Sequence, residues 1–251
     1  VDDLNLLIDL HRDGPRQGPG SDAATRRAIA LSGLRASSDL RIADIGCGTG
    51  ASTLVLARDL DAHVTAIDLL PSFLTRLDTA AENSGLADRI TTRAASMDQL
   101  DLDDESLDAM WAEGAIYNIG FENGVRSWRR FLRPGGVLAV SELTWLTRDR
   151  PAELDQHWQQ EYPEVDTAAA KFAVLEAAGF SPIGYFPLAE DCWLDTYYRP
   201  MQDRFPAFLA AHDHSPAARE LVEAEQREID LYLRFSSYIS YGFYLAKRTP
   251  S

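Results

Sequence analysis

Apolar positions along the chain follow two rhythms that take turns from about Leu40 onward. Short β-branched runs read as buried strands, and between them apolar residues recur every three or four positions, which is helical spacing. The first run, Arg41 to Ile45, precedes a helix from Ala51 with Leu54, Ala57 and Leu60 on one face, and a second run lies at His63 to Ile67. The next helix opens near Pro71, whose fixed φ suits a first helical turn; it buries Phe73, Leu74, Leu77 and Ala81 and stops around Gly85. Strands are predicted at Ile90 to Ala95 and Leu107 to Ala112. A helix includes Val125 to Leu132, and a fifth strand, Val137 to Leu143, starts after the Pro134, Gly135, Gly136 turn. Such alternation is the pattern of βαβ units and a mainly parallel sheet, hence an α/β domain.

Beyond Leu143 the rhythm loosens. An aromatic and charged stretch from Trp145 to Tyr162 leads to a helix ending near Gly179 and a sixth strand at Ile183 to Pro187. A long polar helix, Pro216 to Phe235, carries Leu221, Val222, Ile229, Tyr232 and Leu233 at helical spacing, and a last strand falls within Ser237 to Ala246. Ahead of the alternation stand a helix over Leu4 to Leu10, a Gly/Pro-rich loop from Gly14 to Gly20, and a second helix that Ser21 caps.

The sharpest chemical feature is Ala43-Asp44-Ile45-Gly46-Cys47-Gly48-Thr49-Gly50, where a strand turns into a helix. Glycines there let backbone approach a ligand, and the amides opening the helix can receive an anionic group. Asp68, about twenty residues on at the tip of the second strand, can accept hydrogen bonds from both hydroxyls of a ribose. Ser96, Met97 and Asp98 follow the third strand, where an apolar side chain can lie against adenine and a carboxylate can accept its amine. Glu113 and Gly114 end the fourth strand. These strand ends share one edge of the sheet, which is where open α/β folds bind ligands. Ala51 also completes a Gly-x-Gly-x-x-Ala fingerprint, so the glycines alone leave an NAD-dependent oxidoreductase open. No Gly-Lys-Ser/Thr follows them, which disfavours a Walker-type nucleotide hydrolase.

Taken together, these residues resemble the class I S-adenosylmethionine-dependent methyltransferases, in which an acid stands two residues before Gly-x-Gly-x-Gly, here Asp44 before Gly46, Gly48 and Gly50. Within that class the chain is similar to the small-molecule branch related to ubiquinone- and menaquinone-biosynthesis enzymes. It is also similar to uncharacterised bacterial members that share Arg16 to Gly20 and Glu113 to Glu122. The resemblance implies a Rossmann-like, doubly wound sheet of seven mainly parallel strands with helical lid insertions, its last strand antiparallel. It implies that Gly46, Cys47, Gly48, Thr49 and Gly50 cradle the methionine part of S-adenosylmethionine, Cys47 mainly through its backbone. Asp68 would bind ribose, Leu69 and Met97 flank adenine, Asp98 meet its amine, and Gln17 and Gly18 close over the cofactor. The chain then divides into an N-terminal helical lid (1–38), a cofactor-binding core (39–145) and a substrate-side segment (146–251).

Composition narrows the acceptor. With 39 acidic against 24 basic residues, the formal charge of −15 repels a phosphate backbone, so nucleic acid is not expected as a partner. No apolar run is long enough to cross a bilayer, and the acidic opening Val1-Asp2-Asp3-Leu4 does not read as a secretory signal, so cytoplasmic residence is expected. Cys47 and Cys192 form no paired pattern and read as free thiols, and no cluster has convincing metal-ligand spacing. A small-molecule acceptor is expected, with room left for a homodimer. Where the acceptor must lose a proton, Glu113, Tyr117, Glu142 and His157 are the candidate bases. Trp145, Trp158, Trp193, Tyr197 and Tyr198 can wall an apolar or cationic acceptor or simply anchor a lid. A catalytically silent cofactor-binding regulator is the third reading.

Overall fold

In the computed structural model, which describes residues 2–250, the strand rhythm closes into one sheet. Its strands are β1 (Arg41–Ile45), β2 (His63–Asp68), β3 (Ile90–Ala94), β4 (Leu107–Glu113), β5 (Leu132–Trp145), β6 (Asp166–Thr167), β7 (Phe180–Pro187) and β8 (Ile239–Arg248). The order is β3-β2-β1-β4-β5-β8-β7, with the two-residue β6 beside the end of β5. β1 to β5 pair in parallel, and β8 runs antiparallel to both β5 and β7, as expected of the last strand.

Helices cover both faces, and the strands show why. Ile42, Ala109, Trp111, Val137 and Ala139 point into one apolar layer, while their neighbours Ala43, Met110, Ala112, Leu138 and Val140 point into the other. Period-two alternation with every position apolar is the demand of a sheet buried on two sides. The helices are α1 (Asp2–Arg12), α2 (Asp22–Ser32), α3 (Ala51–Leu60), α4 (Pro71–Asn83), α5 (Phe121–Trp128), α6 (Ala152–Glu161), α7 (Ala168–Ala177), α8 (Asp191–Trp193), α9 (Arg199–Ala211) and α10 (Pro216–Phe235). Strand order reverses at β1, so the C-terminal ends of β1 and β4 flank the crevice where such sheets take ligands.

Four local differences from the sequence reading have physical causes. The helix over Val125 to Leu132 ends at Trp128, and Leu132 already pairs with Leu107. Arg133 to Gly136 then bulge from the ladder before Val137 meets Ala109, so the Pro-Gly-Gly turn lies inside β5. The stretch from Trp145 to Tyr162 contains α6, which Pro151 introduces. Between Asp191 and Ala211 a π-helical turn, Leu194–Tyr198, joins α8 to α9, a break in helical period that hid the element. Finally, residues 2–38, within the segment expected as a lid, divide between two packings. α1 packs on α9 and α10, whereas α2 buries Ala24, Thr25, Ala28 and Ser32 against α3 and the strands.

Candidate active site

The glycine loop is shaped by close approach. Gly46, Gly48 and Gly50 all have left-handed backbone (φ +67°, +56° and +91°), a region that costs other residues dearly. A methyl group on Gly46 would lie 2.4 Å from Cβ of Ala115, and one on Gly50 would strike the Leu77 side chain. The amides of Gly46 and Cys47 donate to the carbonyl of Ile67, which moors the loop to β2. Asp44 is wholly buried beneath it. One of its oxygens accepts from the hydroxyls of Ser52 (2.8 Å) and Thr53 (2.7 Å), while the other has no partner. Burial pushes this carboxyl up to about 7.

At the tip of β2, Asp68 accepts from the amides of Gly48 and Leu70, both at 2.9 Å, and burial raises its carboxyl. Leu69 beside it is 65% exposed. Met97 is half-buried and reaches Gly46, its methyl 3.4 Å from where a Gly46 side chain would begin, and Trp128 donates to its carbonyl at 2.9 Å. The Ser96 hydroxyl donates to Asp98.

The N-terminal segment crosses directly over this loop. Oε1 of Gln17 accepts from the Thr49 amide (2.9 Å) and hydroxyl (3.1 Å), and its Nε2 donates to the carbonyls of His11 and Gly14. Glu113 holds the segment in place: its oxygens accept from Arg16 (3.1 Å), Thr25 (2.7 Å) and Trp111 (2.9 Å), in a nearly solvent-free setting. Thus Glu113 ties the neighbouring segment to β4 beside the glycine loop. Arg16, Gln17, Gly18, Gly46, Gly48 and Glu113 enclose a narrow cleft of about 70 Å³. Arg16, Glu113 and the opening residues of α3, Ala51 and Ser52, line it, whereas the amides of Gly46 to Gly50 are given to Ile67, Asp68, Gln17 and Cys47, and the unpartnered Asp44 oxygen lies buried behind the loop. This set fits a group bearing both a carboxylate and an ammonium, such as the amino-acid end of S-adenosylmethionine.

A second cavity, about 810 Å³, opens alongside. It shares Gln17, Gly18, Pro19 and Gly114 with the narrow cleft, so one wall separates the two chambers. Of the candidate bases, Tyr117 and His157 stand on its lining, whereas Glu113 and Glu142 do not. Glu142 is fully buried in β5, with the Lys171 ammonium 3.5 Å away and neither oxygen in a hydrogen bond. Burial pushes its carboxyl up to about 7 and draws the Lys171 ammonium down. Of the expected aromatic wall, Trp158, Trp193 and Tyr197 line the cavity. Trp145 instead turns inward to donate to the Val165 carbonyl under the Arg150 guanidinium, and buried Tyr198 donates to Glu228.

Sequence reading missed Arg16, Thr25, Tyr162, Glu225, Glu228 and Tyr241. Glu225 and Glu228 lie one helical turn apart on α10, a spacing legible once the helix is drawn. Tyr241 sits in a strand whose apolar run gave no hint that one ring faces a cavity.

A methyltransferase-domain family profile matches residues 42–136, which spans β1 through the bulge of β5. The chain is 29% identical over 238 residues to the 27-O-demethylrifamycin SV methyltransferase of Amycolatopsis mediterranei, covering 89% of this chain and 82% of that one. It is 34% identical over 143 residues to the malonyl-[acyl-carrier protein] O-methyltransferase of Dechloromonas aromatica, 54% of this chain and about half (51%) of that enzyme. In fold it is similar to a methyltransferase from Geobacter sulfurreducens solved with S-adenosyl-L-homocysteine, at a TM-score of 0.82 and 20% identity over 98% of this chain and 97% of that one.

Proposed function

We propose that this chain, which belongs to the S-adenosylmethionine-dependent methyltransferases, holds the cofactor's amino-acid end in the narrow cleft and methylates a small molecule seated in the adjoining cavity. The observation that carries this reading is the shared wall: the four residues Gln17, Gly18, Pro19 and Gly114 border both chambers, so the two spaces adjoin. When bound, S-adenosylmethionine supplies an electrophilic methyl group on a sulfonium. The protein's part is to hold the acceptor close and in line with it, and that alone lowers the barrier by several kcal/mol.

On this reading the turns of Gly46 to Gly50 leave room for the amino-acid end, Arg16 and the start of α3 take its carboxylate, Asp68 takes the ribose, Leu69 and Met97 enclose adenine, and Asp98 meets its amine. Asp68 already fixes the loop through Gly48, and a carboxylate has further lone pairs for sugar hydroxyls. Tyr117 and His157 alone of the four candidates line its cavity; the His157 imidazole is placed to receive a proton from the acceptor, while burial raises the Tyr117 phenol and leaves it to orient the acceptor as a hydrogen-bond donor. Glu113 keeps the Arg16–Gln17 segment closed, and Glu142 with Lys171 belongs to the buried support behind the cavity. The setting proposed is the cytoplasm, in keeping with two buried free thiols. Among the described residues no helix is long and apolar enough to cross a membrane.

Calorimetry tests the reading: saturable binding of S-adenosylhomocysteine with none of NAD is expected. The reverse pattern overturns it. Incubation with S-adenosylmethionine and a mixed metabolite pool is expected to yield S-adenosylhomocysteine, which a silent regulator would not produce.

A further inference from the structure

The larger cavity combines aromatic walls with unneutralised acid. Trp193 forms a stacked floor, its ring 5.3 Å from Tyr241 and 4.4 Å from Tyr232 at interplanar angles of 13° and 16°. Tyr197 closes one side. Facing these rings, α10 presents Glu225 and Glu228 on one face. Both are mostly buried, and among the described residues no Lys or Arg pairs with either. Glu225 has only His11, at 3.5 Å, and Glu228 only the Tyr198 hydroxyl, at 2.9 Å. Glu153, Glu161 and Asp230 add further negative charge around the lining. Against them stand Arg227 and Arg234, and Arg234 is already engaged by Glu153.

Two like charges one turn apart in a half-desolvated site repel each other, and burial together with Glu225 pushes the Glu228 carboxyl up to about 6. A cation entering between them relieves that repulsion. The same cation gains from the ring faces, where desolvated cation–π contacts are strongest. An anionic acceptor would add to the repulsion, and a neutral one would leave it in place.

We propose that the acceptor is an amine that docks as its cation, its head between Glu225 and Glu228 and against the rings of Tyr197 and Tyr241, the latter backed by Trp193. This rests on the methyltransferase reading of the same site. The ammonium gives its proton to a wall group or to water. The freed nitrogen lone pair forms the new N–C bond while the methyl–sulfur bond breaks, and its electron pair stays on sulfur. The amine leaves as a methylated ammonium, the cofactor as a neutral thioether, and one proton is released.

The test uses matched probes, benzyltrimethylammonium and its uncharged isostere neopentylbenzene, with phenylacetate as the anion. Each is titrated into the full chain with and without S-adenosylhomocysteine, following tryptophan fluorescence. The cation is expected to bind about tenfold or more tightly than the isostere. That ratio is expected to fall to about threefold or less in Glu228→Gln and in Glu225→Gln, whose neutral side chains keep the shape of the wall. A preference for the isostere or for phenylacetate, no binding of any probe, or a ratio untouched by either substitution overturns the proposal. Binding of S-adenosylhomocysteine, measured in the same samples, judges the methyltransferase reading separately.

Discussion

Replacing Gly46 by alanine separates two costs that the loop imposes together. At φ +67° a side chain costs about 1–2 kcal/mol from crowding of Cβ against the carbonyl oxygen. The added methyl would also begin 2.4 Å from Cβ of Ala115, whereas carbon atoms rest about 3.5–4.0 Å apart. Neither partner is the end of a flexible chain, so backbone on one side must move by more than an ångström. Overpacking of this kind costs about 1–3 kcal/mol. The sum, roughly 2–5 kcal/mol, is expected as lost stability in urea unfolding, with a fall in melting temperature of about 5–15 °C for a chain this long. A double-mutant cycle with Ala115→Gly isolates the contact, because the double variant removes the clash and keeps the backbone strain. A favourable coupling of about 1–3 kcal/mol is expected between the two sites. Zero coupling, or a Gly46→Ala variant within about 0.5 kcal/mol of the parent, would refute the account of a loop pressed against the residue after Gly114.

Glu113→Ala is expected to cost about 1–3 kcal/mol of stability, because it leaves Thr25 and Trp111 without their acceptor and Arg16 with Asp22 alone; activity lost at unchanged stability would instead make Glu113 a reacting group. Asp68→Ala is expected to weaken S-adenosylhomocysteine binding by about 1.5–3 kcal/mol in calorimetry, and unchanged affinity would place the ribose elsewhere. Asp44 has a folded-state pKa raised from 3.8 to about 7, so its contribution to stability is fully present below about pH 4 and is lost as pH rises through about 7. Asp44→Asn is therefore expected to flatten that decline, by at most a few kcal/mol, in unfolding curves measured from pH 4 to 8. Tyr117→Phe and His157→Gln are expected to change kcat or acceptor KM while leaving S-adenosylhomocysteine affinity within about twofold, since both lie on the acceptor side of the shared wall.

The glycine loop and the tip of β2 were legible because their signals are local. Gly46, Gly48 and Gly50 need left-handed backbone, Asp68 ends a strand of unmistakable period, and both facts lie within a few residues of sequence. The larger cavity was not legible for the opposite reason. It is assembled from the loop after α1, α6, the π-turn, α10 and β8, segments that meet only through tertiary packing. The π-turn breaks the helical period, which concealed α8 and α9, and Trp145 and Tyr198 are indistinguishable in sequence from the aromatics that do face the cavity. Arg16 lay in a quoted motif but gained a role only when Glu113, 97 residues away, came within 3.1 Å.

The wall common to the two chambers has a kinetic meaning. Gln17 touches the glycine loop with its carbonyl and borders the larger space with the same residue, so filling either side restrains a door that serves both. Occupancies on the two sides are then thermodynamically linked: each ligand raises the affinity of the other by the same factor, and slower departure is the usual way such a gain shows itself. A single inhibitor spanning the wall, an aminoacyl head joined to a cationic aromatic tail, would draw on both halves at once.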